Sequence, residues 1–242
     1  MTGQALKEGR EGAGWSQVRL ATSLGVTQAY LSLMERGRRP VPDRLARAVA
    51  RVLAMPATAL PVALSPRSGG TSKSASLAEE LARLEYPGFA YRRKGKPSQN
   101  PAALLLEALA LDDLDARVGE ALPWLLLRFD GLDLDLVVSR AKTHDLQNRL
   151  GFTVALARDV AEHNPSYGHR LGELRELERR LENSRLARED TFGRREITER
   201  MRAWLRENRS DEARHWNLLT DLRREHLPYA GQDPGAVAQF SS

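Results

Sequence analysis

The sequence predicts an all-α protein, and three observations carry that prediction. Strand-like alternation is nearly absent from the 242 residues. From Leu77 onward almost every segment joins good helix formers to apolar residues at helical spacing, with turn signals between segments. Ahead of that, residues 15–39 read as two short helices joined by a tight turn. No fixed-period repeat calls for a solenoid. The chain is too long for one small helical module, which predicts two domains: 1–64, a linker over 65–76, and an all-helical domain over 77–242.

Composition bounds the chemistry. With no cysteine there is neither a disulfide framework nor a Cys-based zinc or redox site, and a reducing cytosol is compatible. The N-terminus lacks an apolar signal core, and runs such as 121–129 are too short to span a bilayer, so the expectation is a soluble bacterial cytoplasmic protein without a membrane segment. Charge is unevenly placed: residues 1–64 hold nine Lys/Arg against four Asp/Glu, 65–76 add two basic residues, and the remainder holds 26 basic and 28 acidic. The basic excess lies where phosphate neutralisation would need it, and the nearly balanced larger part suits protein contacts.

In chain order, 4–13 predicts a first helix around Ala5, Leu6 and Arg10. Ser16 caps a second through Leu24, Gly25 supplies a left-handed turn, and Thr27 caps a third running to Arg36. Leu20, Ala21, Leu24, Val26, Leu31 and Met34 fall on the faces these two helices turn toward each other, while Thr27, Gln28, Ala29, Ser32 and Leu33 are left facing outward. The arrangement is a helix-turn-helix. Pro42 and Asp43 start a helix through Leu53 with Leu45, Val49, Val52 and Leu53 as its stripe, and 56–64 suggests a short fifth.

Ser16-Gln17, Leu20-Ala21, Leu24-Gly25-Val26-Thr27-Gln28, Leu31-Ser32, Glu35 and Gly37, at these spacings, resemble the phage repressor and Cro-like (XRE) helix-turn-helix family over roughly the first quarter of the chain. The resemblance implies a five-helix domain that reads double-stranded operator DNA as a homodimer, its motif's second helix in the major groove. It also implies an ion pair between Arg10 and Glu35, which favours a structural role for Arg10 over a phosphate contact. Gln28, Ala29, Ser32 and Leu33 are the expected base readers: a glutamine amide suits adenine, and an alanine methyl suits the thymine methyl. Gln17, Thr27, Arg38 and Arg39 are the expected phosphate contacts. Tyr30 either packs at the protein edge or reaches a phosphate with its hydroxyl.

Ser65 to Ser76, rich in Gly and Ser, reads as a flexible linker with a random-coil span of about 20 Å. Beyond it helices are predicted over 77–84, 101–111, 115–129 with an early break at Pro123, 134–143, 145–163, 167–188, 194–206 and 211–225. Tyr86 to Lys96 interleaves aromatic and basic residues in a Pro/Gly-rich loop, to be read either as a nucleic-acid track or as a loop pinned by Tyr86 and Phe89. Leu171, Leu174, Leu177 and Leu181 form either a dimer seam or a stripe packed within the domain.

Catalytic signatures are missing. The histidines lack metal-ligand spacing, with His215 and His226 on one predicted helix face about 16 Å apart. No phosphate-cradling glycine loop and no nucleophile elbow is present. Asp130, Asp133 and Asp135 miss the calcium-loop order and suit helix capping. No enzyme, metal or cofactor is therefore expected. Residues 122–158 and 212–230, with the words Asp145-Leu146-Gln147-Asn148-Arg149 and His215-Trp216-Asn217, weakly resemble helical regulators paired with nucleotidyltransferase-like toxins. That resemblance implies an antitoxin; helix packing, with Trp216, Leu219 and Leu222 as one stripe, is the plainer account of the same residues. The leading expectation is a DNA-binding transcription regulator, a repressor acting by operator occlusion, with an antitoxin or a ligand-sensing regulator as alternatives.

Overall fold

A computed structural model describes residues 1–62, 71–194 and 196–231. The chain is all-α but for one pair of two-residue strands among the described residues. It divides into two compact units, Met1–Ala63 with Pro97–Asn100, and Leu64–Lys96 with Pro101–Ser242.

In the first unit, α1 (Gly3–Gly12), α2 (Gln17–Leu24), α3 (Gln28–Glu35) and α4 (Asp43–Val52) follow the expected order. Their starts are set by side chains: the hydroxyls of Thr2, Ser16 and Thr27 each accept from an amide three residues on, at 3.1 Å. Gly25 ends α2 at φ +66°, a left-handed conformation in which a Cβ is strained. Leu6, Leu20, Ala21, Leu31, Met34 and Val49 form the core that holds the four helices. The expected fifth helix is only a 3-10 turn, Ala57–Ala59. Pro61 disfavours a helical conformation at the preceding residue, and Leu60 is accordingly extended, with ψ 150°.

The second unit is built around α9 (Gln147–His163), which packs against α7 (Ala116–Arg128), α8 (Leu134–Thr143), α10 (Leu171–Glu182) and α12 (Asp211–His215). α5 (Thr71–Arg83), α6 (Pro101–Leu109) and α11 (Glu199–Asn208) complete the helices. α5 takes in residues 71–76, half of the expected linker; the rest of that expectation, and the boundary at residue 64, lie outside the described residues. No break occurs at Pro123. A proline inside a helix costs about 3 kcal/mol, but Pro123 is buried within a run from Ala121 to Leu127, and that packing keeps α7 continuous.

Two predicted helices are cut short by tertiary contacts. The helix expected over 167–188 becomes a 3-10 stretch, Pro165–Arg170, followed by α10, which ends at Glu182. Beyond it, the buried Asn148 amide pairs with both backbone groups of Leu186, donating to its carbonyl at 2.9 Å and accepting from its N–H at 2.8 Å. That pairing draws residues 184–188 out of helix. The helix expected over 211–225 stops at His215, because Asn217 turns to φ +52° and Trp216 enters the core with no exposed surface. There Trp216 faces Gly151 of α9, where a Cβ would sit 2.4 Å from the indole. Leu218–Leu219 then pairs in parallel with Asp190–Thr191. His215 and His226 are consequently not on one helix, and Trp216, Leu219 and Leu222 are not one helical stripe.

The words around Asp145 to Arg149 and His215 to Asn217 therefore have a packing explanation. Arg149 is buried, its guanidinium donating to Asp190 and to the carbonyls of Leu109 and Leu111. Asn217 donates to the same Leu186 carbonyl that Asn148 holds. Of the aspartates at 130–135, Asp133 caps α8 through Leu136, while Asp130 and Asp135 pair with Arg170 and Arg180. Leu174, Leu177 and Leu181 are buried within the unit rather than exposed as a seam. Among the described residues no cluster could hold a metal ion, and no helix is long and apolar enough to cross a membrane.

Candidate nucleic-acid interface

α2 and α3 each begin at a hydroxyl cap, Ser16 and Thr27, and the first residues of the two helices, Gln17 and Gln28, are hydrogen-bonded to each other. The sequence-expected residues then separate by the geometry of a helix, where each residue is rotated by 100° from the last. Gln28, Ser32 and Glu35, spaced i, i+4, i+7, share one stripe, and that stripe faces α2. Ala29, Leu33 and Arg36 share another, turned away from the core.

On the first stripe a continuous hydrogen-bonded relay runs from α1 to the start of α3. Arg10 donates to Glu35 at 2.6 and 3.0 Å and to the Trp15 carbonyl at 2.8 Å. Gln17 Nε2 donates to the same carboxylate at 2.7 Å, and its Oε1 accepts from Gln28 Nε2 at 2.7 Å. The chemistry allows only this direction: a carboxylate only accepts, so Gln17 must turn its NH₂ to Glu35 and its oxygen to Gln28, which must then donate. Gln28 is left exposed with its second N–H and its Oε1 free of this relay, the donor–acceptor pair that matches adenine N7 and N6.

Arg10 and Glu35 are both buried, so the expected ion pair is present and structural. Burial pushes the Glu35 carboxyl up, but the hydrogen bonds from Arg10 and Gln17 and the charge of Arg10 outweigh it and hold the group below the ordinary carboxylate range. The hydrogen bond to Glu35 raises the Arg10 guanidinium further above its usual value.

Two expectations change here. Ser32, expected to face outward, is 5% exposed, and its hydroxyl has no hydrogen-bond partner among the described residues. It lies on the stripe turned toward α2, which removes it from the base-reading set. Gln17, expected only as a phosphate contact, is also the link that orients Gln28. Ala29 is exposed and Leu33 half-buried, and Arg36 is an exposed residue that sequence reasoning passed over. Its signal was the i+3 spacing from Leu33 and i+7 from Ala29.

The flanks are basic. Arg38 and Arg39 follow Gly37 at φ +69°, and both their amides donate to the Leu33 carbonyl, which folds the turn back over the end of α3. Arg36, Arg38 and Arg39 are exposed and have no carboxylate partner among the described residues. The Tyr30 ring is half-buried against the core, with the Arg39 guanidinium 5.8 Å from its centre. Thr27 is exposed, its oxygen accepting from Tyr30 N–H.

Residues 3–62 match a family model described as a helix-turn-helix domain. The first unit is a helix-turn-helix domain. No curated protein and no solved structure matches the chain. A helix-turn-helix domain is the module of a DNA-binding regulator, and its recognition helix corresponds here to α3.

Proposed function

We propose that the chain is a sequence-specific transcription regulator of the repressor-like (XRE) kind, which binds an operator as a homodimer and represses by occluding it. The observation that supports this reading is the relay Arg10–Glu35–Gln17–Gln28, which presents an oriented amide at the first turn of α3. With α3 in the major groove, Gln28 reads adenine, and the Ala29 methyl and Leu33 meet thymine methyls. Arg36, Arg38 and Arg39 then neutralise phosphates, joined by Thr27 and by Gln17 with the free amides at the start of α2. A second copy supplies the second half-site, whose binding becomes intramolecular once the first is engaged.

The test is fluorescence anisotropy on a duplex selected from a random library and on an unselected one, over a salt series. Gln28→Ala is expected to cost about 1–3 kcal/mol on the selected duplex and little on the other. Arg38→Ala is expected to weaken both alike and to flatten the salt slope by about 0.9. Equal losses on both duplexes for Gln28→Ala would remove it as a base reader. Sedimentation that shows a monomer on and off the selected duplex would remove the dimer.

A second reading is that the helical unit neutralises a protein partner, a nucleotidyltransferase-like toxin, while the helix-turn-helix domain regulates the chain's own gene. Met201 and Trp204, 39% and 47% exposed one turn apart on α11, favour a protein contact there. Co-expression of the full chain with the product of the neighbouring gene tests this. A partner that neither co-purifies nor is inhibited eliminates it.

A further inference from the structure

The loop after α5 has two faces with different chemistry. Tyr86 and Phe89 are buried, stacked edge to face at 5.5 Å, and Tyr86 meets Trp124 and Tyr229 in the same way, so this half of the loop is a plug. The next residues turn outward. Tyr91 is 67% exposed, an unusual placement for a tyrosine, and Arg92, Arg93, Lys94 and Lys96 are all exposed around it.

The outward half is held in shape by bonds that leave three of its four cations without a carboxylate. Arg83 of α5 donates to the Lys94 carbonyl at 3.1 Å, and Arg93 pairs with Glu85. Arg92 lies over the rings of Phe89 and Tyr91 at 5.8 and 5.5 Å, which keeps its guanidinium beside the exposed tyrosine. Arg92, Lys94 and Lys96 have no carboxylate partner among the described residues. Residues 91–96 hold four cations and no acid, whereas the rest of 77–242 holds 22 basic and 28 acidic residues.

Connectivity points to the ligand. Lys96 is followed directly by Pro97–Asn100, which belong to the unit of the helix-turn-helix domain. Asn100 donates there to the carbonyls of Thr58 and Leu60 at 2.8 and 2.7 Å. Tyr91 is thus six residues along the chain from that unit.

We propose that Tyr91, Arg92, Lys94 and Lys96 form a second nucleic-acid contact, which grips the sugar–phosphate backbone of double-stranded DNA when the helix-turn-helix domain is bound. The proposal rests on the DNA-binding reading above. The three unpaired cations supply phosphate neutralisation, and the preset loop loses little freedom on binding. Tyr91 contributes an apolar ring against the sugars and a hydroxyl for a phosphate.

The full chain and the triple variant Arg92→Ala/Lys94→Ala/Lys96→Ala are to be titrated on a random-sequence 30-base-pair duplex over a salt series. The variant is expected to bind more weakly, with a log–log salt slope shallower by about 2–3, because each lost phosphate contact removes about 0.9. Tyr91→Ala is expected to weaken binding several-fold with no change in slope. A control that removes three exposed cations elsewhere in the same unit, Lys142→Ala/Arg179→Ala/Arg188→Ala, is expected to leave the slope as in the wild type. An unchanged slope in the first triple variant, or an equal change in the control, overturns the proposal while leaving the helix-turn-helix reading intact. A wild-type chain that does not bind the duplex overturns both.

Discussion

Replacing Arg10 by alanine leaves the Glu35 carboxylate, only 6% exposed, with Gln17 as its remaining charge-oriented partner. Stranding one member of a buried pair costs about 3–5 kcal/mol. A unit of this size has a total stability of about 3–9 kcal/mol at the usual yield per residue, so the single substitution removes a large part of it. Removing both charges, as in Arg10→Met/Glu35→Leu, strands neither and should cost less than the sum of the two single changes, with a coupling of about 2–3 kcal/mol. Hydrogen exchange on the full chain, read from peptides covering α1 and α3, isolates this unit from the rest. If the single and double variants add to within about 0.5 kcal/mol, or if Arg10→Ala costs under about 1 kcal/mol as an exposed pair would, the pair does not clamp α1 to α3.

The depressed Glu35 carboxyl makes the same clamp pH-dependent. Its contribution is fully present above the unfolded glutamate value of about 4.3 and is lost as pH falls through the lower folded value. Exchange protection in α3 should therefore fall below about pH 4, and Glu35→Gln should remove that part of the pH dependence. Gln17→Ala, which frees the Gln28 amide without touching a base, is expected to lower selected-site affinity by about 0.5–1.5 kcal/mol, the worth of one hydrogen bond, and an unchanged base preference would show that the relay does not orient Gln28. Gly151→Ala places a Cβ 2.4 Å from the Trp216 ring, and overpacking of that kind costs about 1–3 kcal/mol; a melting temperature equal to the wild type would show that Trp216 can move aside.

The legibility of the fold followed the range of the interactions that make it. Ser16, Thr27 and Gly25 act on amides within three residues or on their own φ, so the starts and the turn of the helix-turn-helix were readable in one dimension. α8 is bounded as periodicity predicts because Asp133 caps it locally. Three errors fall where a distant partner overrides local preference: Asn148 pulling Leu186 out of helix, Trp216 seating on Gly151, and burial carrying α7 through Pro123.

By itself the sequence determined the all-helical class, the capped two-helix motif with its basic flank, and the polar amide at the first position of α3. These depend on intrinsic propensity, 3.6-residue periodicity and net charge, all of them properties of neighbours along the chain. Only the tertiary structure decided that Ser32 turns inward, that Arg36 joins the outward stripe, that Gln17 orients Gln28, and that Tyr91 faces solvent while Tyr86 does not. A helix leaves its rotation about its own axis undetermined until another helix packs on it, and a hydrogen bond between residues 11 or 25 apart leaves no periodic trace in the sequence.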